Sequence, residues 1–256
     1  MKRAIGAFTW AICTIIVTWA MAAMNDWSVG NKIRIEQLLK NQKPLAVVIL
    51  EGGLIATKDR GEGYLTYLLT RGPLSQLNAK EVLAKYNQLA MGDDFEAQRY
   101  FVSLFDGVSE TKLQGASEKY FSKKLKKKII DKVVALIETL KENGFDVFIV
   151  SSQPQYLAIA AGEVVGIDKD HIIAIQNGVV GGKLTINIVE PIPVGASAAT
   201  AVKKVTDRQP AVVIGSSERD QHLLSAAEHL SIVINPDSPT RQIASGQGWI
   251  TQFFQE

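Results

Sequence analysis

Residues Ala46 to Leu54 read AVVILEGGL, a run of aliphatic residues that ends in a carboxylate and two glycines. Such a run is typical of a parallel strand buried on both faces, and the glycines after it predict a tight turn. Three further apolar runs, at Val147 to Val150, Ala211 to Ile214 and Ser231 to Asn235, have the same character. Helical patterns lie between the last three runs, so the sequence predicts an α/β fold on a doubly wound parallel sheet.

The helical patterns have recognisable boundaries. The clearest one extends from Ile129 to Leu140, where apolar residues recur every three or four positions, and Gly144 is expected to end it. Two more helices are predicted at Gln153 to Val165 and around His222 to His229. The stretch from Gly178 to Ile188 contains two adjacent glycines and predicts a β-hairpin beside the sheet.

Four segments combine an apolar run with polar residues at its end. They are AVVILEGGL (46–54), FDVFIVSSQP (145–154), AVVIGSSERDQHLL (211–224) and IVINPDSPTRQIASGQGW (232–249). Their order and spacing resemble the motifs of the haloacid dehalogenase (HAD) superfamily, in its phosphoserine-phosphatase-like branch. The resemblance covers about Pro44 to Trp249, and the last segment is its most specific part.

This resemblance implies a Rossmannoid core of parallel strands with an inserted helical cap. The core would comprise residues 44–55 and 126–256. The cap would comprise residues 56–125, a stretch with helical patterns and no comparable strand signal. A cap of this kind closes over a phosphate pocket, and it can be kept as a docking surface after the chemistry is lost.

The first segment lacks the nucleophile that the family uses. The family motif reads DxDGT, which places Ile49 at the attacking aspartate, Glu51 at the second acid and Gly52 at the glycine. An isoleucine has no lone pair to attack phosphorus and no oxygen to bind magnesium. The resemblance therefore predicts the family's fold without its nucleophilic chemistry.

The other motifs are changed in the same direction. Ala198, in the stretch GASA, takes the position of the phosphate-binding lysine, and Ser216 takes that of the metal-binding acid. Ser151 and Asp220 still match the phosphate-binding hydroxyl and the second acid of the fourth motif. We therefore interpret all these positions as vestiges of a site and expect no catalytic residue among them.

Magnesium binding is not expected at these positions. The family holds the ion with a backbone carbonyl and with the carboxylates that Ile49 and Ser216 replace, and the remaining oxygens carry too little charge for a hard cation. Lys203 and Lys204 lie one to two helical turns after Ala198, where they would substitute only if the loop changed register. We predict no metal and no cofactor, with magnesium implied only if the chain is an active phosphatase.

The carboxylate of Glu51 also argues against phosphate binding. Without a metal or a lysine it would repel a phosphate dianion by roughly 4 kcal/mol at about 4 Å in an effective dielectric near 20, which is about a thousandfold in affinity. We expect Glu51 to accept N–H bonds from the Gly52–Gly53 turn, although a role as general acid or base stays open. For Ser151 and Asp220 we expect helix capping.

Composition and charge exclude nucleic acid as the expected partner. Of 256 residues 46% are hydrophobic and 21% charged, and the net charge is only +2. His171, His222 and His229 have no metal-ligand spacing, so we expect surface or packing roles for them. The run from Lys123 to Lys128 holds five lysines, and we interpret it as a solvated helix start unless it attracts anionic lipid or an acidic partner.

Residues 1–24 form an apolar segment of a different character. Lys2 and Arg3 precede about twenty uncharged residues, enough for a helix of roughly 30 Å that would span a bilayer. The amino end should stay in the cytoplasm, so the folded domain is expected on the periplasmic side of the inner membrane. The alternative is a signal peptide with its cleavage site at Ala20 to Ala22, which would release the domain into the periplasm. Residues 25–43 would be a linker or stalk helix, with Trp27 near the interface.

Two functions fit these observations. The first is a membrane-anchored pseudophosphatase that works by binding, as an accessory or assembly subunit with a protein partner in a membrane complex. The second is a divergent exported phosphomonoester hydrolase in which Glu51 activates water and Asp220 assists. A third possibility is a periplasmic receptor for a small ligand, because Ile49 and Ala198 make the expected pocket more apolar.

Overall fold

The central element is a parallel β-sheet of six strands. The structure is a computed structural model that describes Met24 and residues 26–40, 44–57, 59 and 61–254. The strands are β1 Leu45–Ile49, β2 Asp146–Pro154, β3 Ile172–Ile175, β4 Asn177–Val180, β5 Lys183–Ile188, β6 Val212–Gly215, β7 Leu230–Ile234 and β8 Ile250–Gln252. The sheet has the order β3-β2-β1-β6-β7-β8 with parallel neighbours throughout, and β4 and β5 form a separate antiparallel hairpin.

Helices cover both faces of this sheet. They are α1 Val29–Leu38, α2 Glu62–Arg71, α3 Ala79–Gly92, α4 Asp94–Ser103, α5 Glu110–Tyr120, α6 Asp131–Glu142, α7 Gln155–Val164, α8 Ser197–Thr206, α9 Gln221–Leu224 and α10 Ser238–Gln247. Alternate residues of β1 belong to opposite cores: Ala46 and Val48 pack with α1, α6 and α7, whereas Val47 and Ile49 pack with α8, α9 and α10. The predicted α/β fold with a parallel sheet is confirmed.

The predicted elements need several corrections. The four predicted strands correspond to β1, β2, β6 and β7, whereas β3 and β8 were not predicted. The predicted helix at Ile129 begins at Asp131, because the Ile130 N–H donates to the Leu54 carbonyl at 2.9 Å instead. It ends as expected, with Gly144 in the left-handed region at φ 82°.

Helices α2 to α5 form an insertion between β1 and β2, in the range predicted as the cap. A π-helical turn at Phe121–Leu125 and a 3-10 turn at Lys126–Lys128 lead from it back to the core. The hairpin was predicted beside the sheet, but it packs on this insertion. The Gly107 N–H donates to the Leu184 carbonyl, and the Leu184 N–H donates to the Val108 carbonyl, both at 2.8 Å.

The segment predicted as a stalk is part of the folded core. Ile35 and Leu38 of α1 are buried, and Trp27 packs edge-on against Phe254 with ring centroids 5.2 Å apart. The Asn31 amide donates to the Gln252 side chain at 3.0 Å, which ties α1 to the end of β8. Trp27 is only 3% exposed, because its ring packs inside the folded domain.

The apolar segment 1–24, on which the membrane prediction rests, lies outside the described residues except for Met24. Among the helices of the described residues, none has the length and apolar character needed to cross a bilayer.

Candidate functional site

A pocket of about 680 Å³ opens at the carboxyl ends of β1, β2, β6 and β7, between the sheet and the insertion. In a parallel sheet the loops that follow neighbouring strands meet at this edge, and ligands bind there. Six of the seven motif positions line the pocket: Ile49, Glu51, Gly52, Ala198, Ser216 and Asp220. The seventh, Ser151, is fully buried behind Glu51. The structure therefore brings the motif positions together at one pocket.

The loop after β1 is closed by its own backbone. The Leu54 N–H donates to the Ile49 carbonyl at 3.0 Å, and the Gly52 N–H donates to the Ile55 carbonyl at 2.8 Å. A Cβ atom on Gly53 would overlap the Ile49 carbonyl oxygen, so this turn admits no side chain there. Ile49 itself is 7% exposed and contributes its side chain to the core at the floor of the pocket.

Glu51 is the acid at the end of this loop. Its carboxylate accepts a hydrogen bond of 2.5 Å from the Ser151 hydroxyl. Burial raises the pKa of Glu51 to about 7, the Asp220 carboxylate adds to the rise, and the Ser151 bond opposes it. The prediction that the following turn satisfies Glu51 is wrong for Gly52, because that N–H is bonded to Ile55. At neutral pH Glu51 therefore exists in both protonation states.

Ser151 has a different role from the one predicted. Strand β2 continues to Pro154, and α7 begins only at Gln155 without a side-chain cap. The Ser151 hydroxyl accepts the Gln153 N–H at 3.0 Å and donates to Glu51. The prediction that it caps the helix is therefore wrong, because the strand is longer than the sequence pattern indicated.

Asp220 organises the loop after β6. Its carboxylate accepts the N–H groups of Ser216 and Ser217 at 2.8 and 2.9 Å, and with Ser217 it forms a capping box on the 3-10 turn Glu218–Asp220. Burial raises its pKa. The predicted structural role of Asp220 agrees with these contacts, but the predicted helix is shorter, since α9 ends at Leu224.

The residues of the pocket do not fit magnesium. Ile49 and Ser216 stand where the carboxylate ligands of the resembled family belong, and the Ile49 side chain fills the space beside Gly215. The Asp220 oxygen nearest to the loop is bonded to two backbone N–H groups. Among the described residues no group of three His, Cys, Asp or Glu side chains is placed to hold a metal. The oxygens that remain give no octahedral set with enough charge.

No lysine substitutes for the family's phosphate-binding lysine in the described pocket. Lys203 and Lys204 do not line it, and the Lys204 ammonium donates to the Glu190 carbonyl at 2.9 Å. Among the lysines and arginines that the structure describes, only Arg219 lines the pocket, and it pairs with Asp94 at 3.0 Å. The pair joins the loop after β6 to α4 of the insertion.

Several pocket residues were not predicted. Asp59 accepts the N–H groups of Gly61 and Gly63 at the start of α2, and it lines the pocket together with Asp94. An aspartate two residues before a glycine at a helix start is a recognisable signal for the first of them. His222, expected to have a surface or packing role, is exposed at the rim of the pocket.

Comparisons with known proteins agree on the family and the fold. The sequence profile of the haloacid dehalogenase-like hydrolases matches residues 50–225. No curated protein matches the chain significantly.

Solved structures share the fold at low sequence identity. A protein of unknown function from Bordetella pertussis Tohama I aligns over 83% of this chain and 99% of its own, with 16% identity and a TM-score of 0.70. A probable phosphoserine phosphatase from Vibrio cholerae aligns over 80% of this chain and 59% of its own, with 19% identity and a TM-score of 0.55. A phospho-aspartyl intermediate analogue of phosphoserine phosphatase aligns over 84% and 95%, with 18% identity and a TM-score of 0.54.

Proposed function

We propose that this chain, which belongs to the haloacid dehalogenase-like hydrolase family, is a pseudophosphatase that acts by binding. In this proposal it is an accessory or assembly subunit of a membrane complex, anchored by residues 1–24 with its folded domain on the periplasmic side. The proposal is carried by the floor of the pocket, where Ile49 supplies a buried hydrocarbon side chain at the position of the nucleophile.

The charge of the pocket supports the same conclusion. Among the lining residues that the structure describes, six carboxylates stand against the single guanidinium of Arg219, which Asp94 already pairs. With the described lining residues alone a phosphate dianion would meet net repulsion there, because only Arg219 among them carries a positive charge opposite the carboxylates. The pocket thus disfavours the substrate class on which the family acts.

The insertion supports a role in binding. It contains an aromatic cluster in which Tyr64, Tyr86 and Phe105 each pack against Phe101, and this cluster is continuous with the core of the sheet. Hairpin β4–β5 clamps it to the rest of the molecule through the bonds at Leu184. A well-packed insertion of this kind offers a surface on which a protein partner can dock without any chemistry in the pocket.

Two measurements test the proposal. The full-length chain, purified in mild detergent, should not hydrolyse simple phosphate monoesters with magnesium above the rate of a Glu51→Gln control. The chain isolated from its own membrane should carry a partner in fixed ratio. An ordinary enzymatic rate that the control lacks would overturn the pseudophosphatase, and recovery as a lone monomer would overturn the subunit role.

A second candidate function rests on Glu51. Its pKa of about 7 and its place on the pocket wall suit a general base, which works best when its pKa is near the working pH. As a divergent phosphomonoester hydrolase the chain would lose its activity with Glu51→Gln, and its rate would rise with pH through about 7 as the carboxyl ionises. A rate unchanged in Glu51→Gln would exclude this candidate.

A further inference from the structure

The run Lys123–Lys128, here called the basic segment, is exposed at the junction of insertion and core. All five of its lysines are exposed, while Leu125 is buried and fixes the run to the domain. Within the described part of the chain, none of these lysines forms an ion pair with a carboxylate. The basic segment is thus a concentrated positive charge that the domain itself does not neutralise.

The basic segment is held at the carboxyl edge of the sheet. The Ala56 N–H donates to the Lys128 carbonyl at 2.8 Å, and the Ile130 N–H donates to the Leu54 carbonyl at 2.9 Å. Helix α6 starts directly afterwards, and its Lys132 forms an ion pair with Asp26. Four residues reach at most about 14 Å, so Lys128 lies at the same edge of the sheet as Lys132 and its partner Asp26.

Asp26 marks the point at which the apolar segment joins the domain. The last residue of that segment, Met24, is two positions before Asp26 in the sequence and is buried in the core. The Asp26 carbonyl accepts the Gln252 amide at 3.1 Å, and the adjacent Trp27 is buried. Because the junction is fixed to the core, an anchor in residues 1–24 would hold one particular side of the domain against the bilayer.

We propose that the basic segment lies on anionic lipid headgroups of the membrane that holds residues 1–24. This inference rests on the membrane anchoring in the proposed function and adds the surface that faces the bilayer. The lipid is favoured over an acidic protein because the five exposed lysines are next to the junction with the anchor. Each lysine near an anionic surface contributes about fivefold in binding, and salt screens the attraction.

The test uses the full-length chain in lipid nanodiscs, either of neutral phosphatidylcholine or with about 30% anionic phosphatidylglycerol. Lysine acylation is followed residue by residue by mass spectrometry. We expect acylation of Lys126 to Lys128 to fall at least about fivefold in the anionic discs and to recover in about 0.5 M salt. Lys169 is the matched control, since it is exposed before β3 at the opposite edge of the sheet.

Three other outcomes would overturn the inference. Equal acylation of the basic segment in both discs would show that it does not touch lipid. Protection in native membranes but not in anionic discs would replace the lipid with an acidic protein partner. A parallel fall at Lys169 would show a general effect of the anionic surface. Failure of the chain to enter discs at all would instead disprove the anchor, which is a separate result.

Discussion

Glu51, in the loop after β1, and Asp220, in the loop after β6, line the same pocket, but the two loops hold these carboxylates differently. Asp220 accepts two backbone N–H groups and thereby shapes its own loop. Glu51 accepts the Ser151 hydroxyl and the backbone N–H groups of Glu51 and Ser152, yet burial raises its pKa to about 7. The fold explains why Asp220 is present, whereas it stabilises Glu51 poorly in the ionised form. Acids that a fold disfavours are the better candidates for function.

The strongest test of this comparison removes the backbone closure of the loop after β1. In Gly53→Ala the new Cβ would overlap the Ile49 carbonyl oxygen and lie 3.0 Å from that of Ile214. Both neighbours are backbone atoms of the sheet, so neither can rotate away. We expect a loss of about 3 kcal/mol in the free energy of unfolding, measured by urea denaturation.

Gly115→Ala is the matched control for that change. Gly115 is inside α5, has no atom within 4 Å of the added Cβ, and does not have positive φ. Alanine there should stabilise the fold by about 0.5–1 kcal/mol. If both glycine variants gave the same small effect, the loop after β1 would be pliable and the contrast with the loop after β6 would disappear.

The next largest change in stability is expected at Asp220, the acid whose presence the fold explains. Asp220→Ala leaves the N–H groups of Ser216 and Ser217 without their acceptor and removes the capping box. We expect a loss of about 2 kcal/mol in urea denaturation. Asp220→Asn keeps one acceptor oxygen and should lose about half as much. A stability unchanged in Asp220→Ala would mean that Asp220, too, needs an explanation outside the fold.

Glu51→Gln should increase the free energy of unfolding, by an amount that depends on pH. The pKa of Glu51 rises from 4.5 to about 7 on folding, so the folded chain holds this proton more tightly than the unfolded chain. Stability from Glu51 is therefore lost as pH increases from about 4.5 to about 7 and stays constant above. We expect Glu51→Gln to stabilise the chain by about 1–2 kcal/mol at pH 8, reduced because the pocket admits water.

The pH series itself supplies the control for Glu51→Gln. At about pH 3.5, below the unfolded pKa of Glu51, both chains carry a neutral side chain in both states, and both can accept the Ser151 hydroxyl, so their unfolding midpoints should coincide. The exposed Glu228→Gln should show no such difference at either pH. Destabilisation of Glu51→Gln at pH 8 would show that the fold stabilises the ionised acid, contrary to the comparison.

The sheet was predictable from the sequence where an aliphatic run belongs to one of the four motif segments. Strands β1, β2, β6 and β7 contain such runs and were predicted within a few residues, whereas β3, which reads IIAI and belongs to no motif segment, was missed. Strand β8 reads ITQ, and its Gln252 is buried because it bonds to Asn31 and the Asp26 carbonyl, contacts across more than two hundred positions. A short strand whose polar residue is satisfied by the other end of the chain leaves no local pattern.

The pocket was predictable in its positions and less so in its contacts. Motif spacing placed Glu51, Ser216 and Asp220 together because each follows a parallel strand. It did not show that Ser151 bonds to Glu51, since the end of β2 was misjudged by several residues. The ion pair between Arg219 and the insertion could not be predicted either, because it depends on tertiary packing alone.

The smallest effect tests whether the loop after β6 also holds the insertion. Arg219 pairs with Asp94 at 3.0 Å, with side chains 38% and 33% exposed. An exposed ion pair contributes little, so Arg219→Ala should lower the free energy of unfolding by at most about 0.5 kcal/mol.

Asp94 is the first residue of α4, where its charge also stabilises the helix start. Asp94→Ala alone would therefore overestimate the free energy of the ion pair. A double-mutant cycle removes that term, because the helix-start contribution is present in both arms. A coupling above about 1.5 kcal/mol would instead show that the loop after β6 closes the pocket as well as shaping itself, and the division of roles between the two loops would have to be redrawn.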